Sequence, residues 1–350
     1  MTDRENFLGA ARFTGCDCIP AWVSFSPATW ARYRGDLEAV LVRHPALFGP
    51  QTPGSRKFDD FGPAYRQGER YTDNWGCVWE NIQAGLEGQV VVHPLADYAA
   101  LATYRPPDQL LLTERGTINW ADIEARVAQA RANGQLVRGG VERFYERLHF
   151  LRGFENLMMD FVLDPPELHR MIQMVIEANL RLIRRWLHIG VDIMHFCDDL
   201  GLQDRLMMSP AHWRKYLGPG YAAMFQPCRK AGSEVYLHSD GHLLSIIDDL
   251  IKCGVTILNP QSRANGIDNL AVLCKGRLCL ALDLDRQWVL PFGSPADVRD
   301  HVKEAVMKLG SPAGGLMLGA DVNPDVPLAN VEAVCSAIEE FREYWKGRTA

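Results

Sequence analysis

His238, Asp240 and His242, spaced by two, stand in the stretch Ser233-Glu-Val-Tyr-Leu-His-Ser-Asp-Gly-His242. Glu234–Leu237 reads as a short strand, because Gly232 stops the helix before it and Val235 and Leu237 share one face. An imidazole and a carboxylate at such a strand tip are groups that hold a divalent metal or move protons. Their side chains reach one point only if the backbone bends after the strand, and Gly241 supplies that turn. Neither is a soft ligand, so the pair favours harder or borderline ions. The competing reading gives His238 a structural role, capping the next helix or hydrogen-bonding in the core.

Other strand tips carry similar groups. They gather Asp73, Trp75, Glu146, Arg147, Asp198, Asp199, Gln203, Asn259, Gln261, Asp283, Asp285, Asp321 and Asn323. Each has a structural alternative: Asp198 or Asp321 as a helix cap, Arg147 as the counter-charge of Glu146, Trp75 as core packing. Their accumulation on one rim is what favours chemistry, since an acidic, histidine-containing mouth can hold a metal or manage protons.

The elements that must position them alternate strand and helix. Strands are expected at Cys18–Phe25, Arg70–Trp79, Leu136–Val141, Val191–Cys197, Glu234–Leu237, Val255–Leu258, Leu278–Leu282 and Leu316–Gly319. Helices are expected near Ala28–Tyr33 and Leu37–His44, then at Pro94–Tyr104, Asn119–Asn133 and Pro165–Ile189. Further helices run from Ser209-Pro210 to Gly232, from Leu243 to Gly254, from Ser294-Pro-Ala-Asp297 to Gly310, and over Leu328–Trp345. Eight strands followed by helices predict an α/β protein, a (β/α)8 TIM barrel with an N-terminal extension, one domain over residues 1–350. A doubly wound open sheet is the rival, but no GxGxxG or P-loop follows any strand.

Composition narrows the class. Of 350 residues, 47% are hydrophobic and 23% charged, as in a water-soluble protein with a large core. The net charge of −6 and the lack of a basic run argue against a nucleic-acid partner. No apolar stretch is long enough for a membrane span, and the opening Met1-Thr-Asp-Arg-Glu-Asn lacks a secretory core. Nine scattered cysteines fit a reduced, cytoplasmic protein, and Cys16-Asp-Cys18 is too tight for a usual redox or zinc pair.

The chain resembles the uroporphyrinogen decarboxylase superfamily, which also contains corrinoid-dependent methyltransferases. The resemblance is carried by Asp73-Asn-Trp-Gly-Cys-Val-Trp79, Glu146-Arg147 with Leu151-Arg-Gly-Phe-Glu-Asn156, and Asp198-Asp-Leu-Gly-Leu-Gln203. It continues through Ser209-Pro-Ala-His-Trp213, His238-Ser-Asp-Gly241, Asn259-Pro-Gln261, Asp285-Arg-Gln-Trp-Val-Leu-Pro-Phe-Gly-Ser-Pro295 and Gly314–Asn330. It spans about residues 65 to 346 and implies a (β/α)8 barrel with its site at the C-terminal mouth.

This sequence departs from both branches. The decarboxylases carry an arginine-rich Met-Arg-Gln-Ala-Gly-Arg segment after the first strand, where this chain reads Trp22-Val-Ser-Phe-Ser-Pro-Ala-Thr29. They also carry a histidine after the eighth strand, where this chain has Gly319-Ala320-Asp321. The zinc methyltransferases use a His-x-Cys pair and a later Cys; here His238 is kept and the cysteines are replaced by Asp240 and Ala320.

The resemblance implies an enzyme moving a methyl group between a small methylated substrate and a corrinoid carried by a separate protein, since this chain has no Asp-x-His-x-x-Gly module. His238 and Asp240 would hold zinc or another divalent metal or polarise the substrate, and Glu146 or Asp199 would supply a proton. Trp22, Trp75, Asp73, Gln203, Asn259, Gln261 and Asp285 would contact substrate. The alternatives are a decarboxylase of another small or cyclic acid and a barrel without catalysis.

Overall fold

The computed structural model describes residues 1–113 and 116–348. Its centre is one all-parallel sheet of seven strands: β1 (Ala21–Phe25), β2 (Arg138–Gly140), β3 (Ile193–Cys197), β4 (Glu234–Ser239), β5 (Ile257–Pro260), β6 (Cys279–Asp283) and β7 (Leu316–Val322). The spatial order is β1-β7-β6-β5-β4-β3-β2. The sheet curls with helices on its outer face, and β1 and β2 are its two edges; no ladder joins them among the described residues. The architecture is therefore an open α/β curl rather than the closed eight-stranded barrel expected from the sequence.

The missing position is the one assigned to Arg70–Trp79. That stretch turns back on itself after three residues. Asp73 Oδ1 accepts hydrogen bonds from the backbone N–H of Trp75 at 3.0 Å and Cys77 at 2.8 Å. Gly76 takes a φ of +82° that suits glycine. The result is an antiparallel sheet of Arg70–Thr72, Val78–Glu80 and Gln89–Val92, outside the parallel one. The helix expected at Pro94–Tyr104 is only a short 3₁₀ segment, Tyr98–Ala102.

Strand alternation separates two cores. Val23, Met194, Phe196, Val235, Leu237, Leu258, Leu280, Leu282 and Leu318 pack outward with the helices. These include Pro166–Ile189 and Pro295–Leu309, whose Val298, Val302, Ala305, Val306 and Leu309 form the expected buried stripe. Ile193, Tyr236, Ile257, Cys279, Ala281 and Met317 face inward and are joined by Phe7, Ala10 and Ala11.

Those last three belong to the helix Asp3–Arg12, which lies within the expected N-terminal extension and has no counterpart among the expected helices. It starts with a capping box between Thr2 and Glu5 and closes the N-terminal end of the curl. Arg4 pairs with Asp192 and Arg12 with Glu234, each at 2.7 Å, fixing the helix to the residues at the start of β3 and β4.

Candidate active site

Inward-facing side chains of the strands enclose a cavity of about 430 Å³ lined by residues of β1 to β7 and by Phe7. It runs from Phe7, Arg138 and Trp22 past His195 and Tyr236 to Cys197, His238, Asn259, Asp283 and Asp321. Trp22 fits because its cross-strand partner is Gly319: a Cβ there would come within 2.8 Å of the indole.

His238, near the C-terminal end of β4, is held at Nδ1. Asn259 Nδ2 donates to the carbonyl of Ala281, which turns its Oδ1 toward His238 Nδ1 at 2.7 Å. An amide oxygen only accepts, so Nδ1 carries the proton and Nε2 keeps its lone pair. That nitrogen lies 3.4 Å from Asp240 Oδ1 and 3.7 Å from Asp199 Oδ1. The three ligand atoms all fall within 4.8 Å of one another.

Two glycines bring these carboxylates together. The loops after β3 and β4 touch so closely that a Cβ on Gly241 would stand 2.1 Å from the carbonyl of Gly201. A Cβ on Gly201 would stand 2.3 Å from the His242 nitrogen. Contact at this range lets the Asp240 N–H donate to Asp199 Oδ1 at 3.0 Å and the Leu200 N–H to Ser239 Oγ at 3.1 Å. Gln261 Oε1 steadies the turn by accepting from the Gly241 N–H at 3.0 Å.

Arg286 supplies the positive charge. Its guanidinium pairs with Asp240 Oδ2, with Asp321 Oδ2 at 3.1 Å and with Asp283 Oδ2 at 3.2 Å. Asp321 also accepts from the Ser24 hydroxyl. Three carboxylates share one guanidinium, so the most buried of them keeps a proton: burial pushes Asp283 up to about 8, with Asp321 and Asp240 adding to the effect against Arg286. Burial also raises Asp240, again opposed by Arg286. Asp240 Oδ1 is buried and makes no hydrogen bond, so it is an orphaned acceptor facing His238 Nε2.

The other expected site residues divide. Glu146 stands behind Asp199, its Oε2 accepting from the Asp199 N–H at 3.3 Å and its Oε1 from Arg143 at 3.0 Å. Burial pushes its carboxyl up to about 8 against the pull of Arg143. Asp198 accepts from the N–H groups of Phe144, Tyr145 and Glu146 and from the Tyr221 hydroxyl, so it caps the helix Tyr145–Arg152 rather than the one after it. Asp73 and Trp75 do not line the cavity. Asp73 is fully committed to Trp75, Cys77, the Trp79 indole and Arg147, and Trp75 donates to Glu142. Arg147 therefore neutralises Asp73, at 2.6 Å, and Glu142, at 3.2 Å, while Arg143 pairs with Glu146. Gln203 is exposed on a loop. Asp285 accepts from the N–H groups of Gln287 and Trp288 and pairs with Arg263. His242 faces the Ala264 carbonyl instead of the metal-type cluster.

Residues 148–341 match the family model described as uroporphyrinogen decarboxylase (URO-D), more than half of the chain. The chain belongs to the uroporphyrinogen decarboxylase family. Uroporphyrinogen decarboxylases from two strains of Thermus thermophilus are 26% and 25% identical over 271 residues, covering 73% of this chain and 72% of each relative. A methyltransferase from Methanosarcina mazei shares the fold with a TM-score of 0.67 at 19% identity, over 97% of this chain and 99% of that one. Within this URO-D family member, Ala320 packs in the outer core, so the cavity-facing residue at the end of β7 is Asp321.

Arg286, Arg138, Cys197, His195 and Tyr236 have no role in the reading of the sequence alone. The period-2 pattern of β3 and β4 carried the signal for the last three, since His195 and Cys197 alternate with Met194 and Phe196, and Tyr236 and His238 with Val235 and Leu237. All nine cysteines are free. No helix among the described residues is long and apolar enough to cross a membrane.

Proposed function

We propose that this enzyme transfers a methyl group between a small methylated compound and a corrinoid carried by a separate protein, using the C-terminal end of a sheet laid out on the (β/α)8 plan. The observation that supports this reading is the convergence of His238 Nε2, Asp199 Oδ1 and the orphaned Asp240 Oδ1 beside the cavity that His238 lines. One imidazole nitrogen and two carboxylate oxygens fit zinc or another divalent ion, with harder ligands than a thiolate site. Bound there, the ion would polarise the substrate heteroatom as a Lewis acid.

The chain's own residues do the rest. Asn259 keeps the His238 lone pair directed at the site, and Arg286 holds Asp240 while balancing Asp283 and Asp321. Trp22 walls the cavity. When the methyl group departs, the bonding pair stays on the heteroatom. The proton of Asp283, on the cavity wall, neutralises it; Glu146 holds a second proton behind Asp199. The same Asp283 proton favours a second reading, loss of carbon dioxide from a small acid, in which the proton replaces the departing carboxyl.

The test mixes zinc-loaded protein with cob(I)alamin and a panel of small methyl-oxygen, methyl-nitrogen and methyl-sulfur compounds, following the cobalamin spectrum. Transfer that disappears in His238→Ala, together with the bound metal, supports the reading. Full activity after exhaustive chelation removes the metal role, and carbon dioxide release without methyl transfer replaces the first reading by the second.

A further inference from the structure

We propose that Arg138 anchors an oxyanion, a carboxylate or sulfonate, of the small molecule that this cavity takes; the inference rests on the reading that the reacting end lies at His238. Arg138 lines the cavity opposite its mouth, beside Phe7, His195 and Tyr236. The other arginines around the sheet ends have carboxylates: Arg4 has Asp192, Arg12 and Arg229 share Glu234, and Arg286 has three. For Arg138, no carboxylate and no hydrogen bond is found among the described residues, and its guanidinium has only the face of Phe7, at 5.1 Å. Burial lowers its pKa, yet the residue is exposed, since it stands on the edge strand β2 and borders the cavity.

A guanidinium in that position is an incomplete pair. Its planar fork matches an oxyanion in two parallel hydrogen bonds. The protein's own carboxyl groups in the cavity, Asp283 and Asp321, are already held by Arg286. Burial, with the nearby Arg138 charge, keeps His195 neutral, its pKa down to about 4, so it adds no counter-charge.

Register gives the span. Arg138 pairs with Ile193 and Ile193 with Glu234, while His238 lies four residues further along β4. Four residues of strand measure about 13 Å, part of which the arginine side chain itself covers. A short compound with an oxyanion at one end and its reactive heteroatom at the other fills the interval, its body against Trp22, His195 and Tyr236.

Calorimetric titration of the zinc-loaded protein compares small acids with their neutral amides, methoxyacetate against methoxyacetamide first, then methanesulfonate against methanesulfonamide. The wild type is expected to prefer the acid at least tenfold. Arg138→Met should lose that preference, Arg138→Lys should keep part of it, and His238→Ala, titrated without zinc, should still prefer the acid. Circular dichroism should show all three folded. Equal binding of acid and amide by the wild type, no saturable binding of either acid, or a preference that survives in Arg138→Met overturns the proposal. A preserved acid preference without methyl transfer removes the methyltransferase reading and leaves the anchor; methyl transfer without acid preference does the reverse.

Discussion

His238 Nδ1 lies 2.7 Å from Oδ1 of Asn259, and this bond decides which ring nitrogen faces Asp240 and Asp199. Asn259 is itself oriented by the Ala281 carbonyl, so the histidine tautomer is fixed from the neighbouring strands. Partners of this kind orient a ligating imidazole and raise its basicity.

Asn259→Leu is therefore expected to weaken divalent-metal binding about 10- to 100-fold. The check is competition with a chromophoric chelator at constant pH. An unchanged affinity would mean that Nε2 does not ligate. Metal binding should also decline on acidification, because imidazole and carboxylate bind only when deprotonated.

Asp283 gives a pH signature. Its folded-state pKa is raised to about 8, above the ordinary value near 4. Between those values the folded protein keeps a proton that the unfolded chain has released, so the contribution of Asp283 to stability is present below about pH 4 and falls as pH rises toward 8. Asp283→Asn removes that slope. The variant should melt near the wild-type temperature at pH 5 and several degrees above it at pH 8.5, measured by calorimetry. A variant less stable than wild type at pH 8.5 would show that Asp283 is an ionised partner of Arg286 instead.

Much of this was legible in the sequence where local signals and tertiary packing agree. The seven parallel strands were announced by apolar runs, the helices after them by Ser209-Pro210 and Ser294-Pro-Ala-Asp297, and the strand tips by their polar residues. His238, Asp240 and Asp199 stood out by type and position, and Gly241 by the turn they needed. The failures came where a single side chain redirects the backbone. Asp73 looks like a rim carboxylate until its bonds to Trp75 and Cys77 are seen to fold a hairpin. Arg286 sits in a turn without periodicity, and only the three-dimensional convergence of Asp240, Asp283 and Asp321 reveals it. Arg138 is conspicuous by what does not surround it, a property no spacing encodes.

Arg147 and Asp73 form a buried pair that supports the hairpin, and its loss should be a stability effect. Removing one partner leaves the other charged and buried, which costs about 3–5 kcal/mol. Arg147→Met and Asp73→Asn should each lower the denaturant midpoint by a corresponding amount, with the double variant losing less than their sum. Additive losses would show that the 2.6 Å contact carries no coupling.

Uroporphyrinogen itself should not be a substrate, despite family membership. At the tip of β1, where the resemblance leads one to expect arginines, the Ser24 hydroxyl bonds Asp321 and presents no cation. Arg286, next to the cavity-lining Asp283 and Asp321, is consumed by three aspartates, which leaves Arg138 as the arginine lining the cavity among the described residues, too few for a macrocycle with many carboxylates. A porphyrinogen of that charge needs several fixed cations to replace its hydration, and a space of about 430 Å³ suits a small ligand better than four linked pyrroles. Incubation with uroporphyrinogen, followed by oxidation and chromatographic separation of the porphyrins, should yield negligible coproporphyrin. Turnover at a rate typical of a dedicated decarboxylase would mean that Arg286 lets go of its aspartates to meet substrate. Arg286→Lys should then depress that turnover.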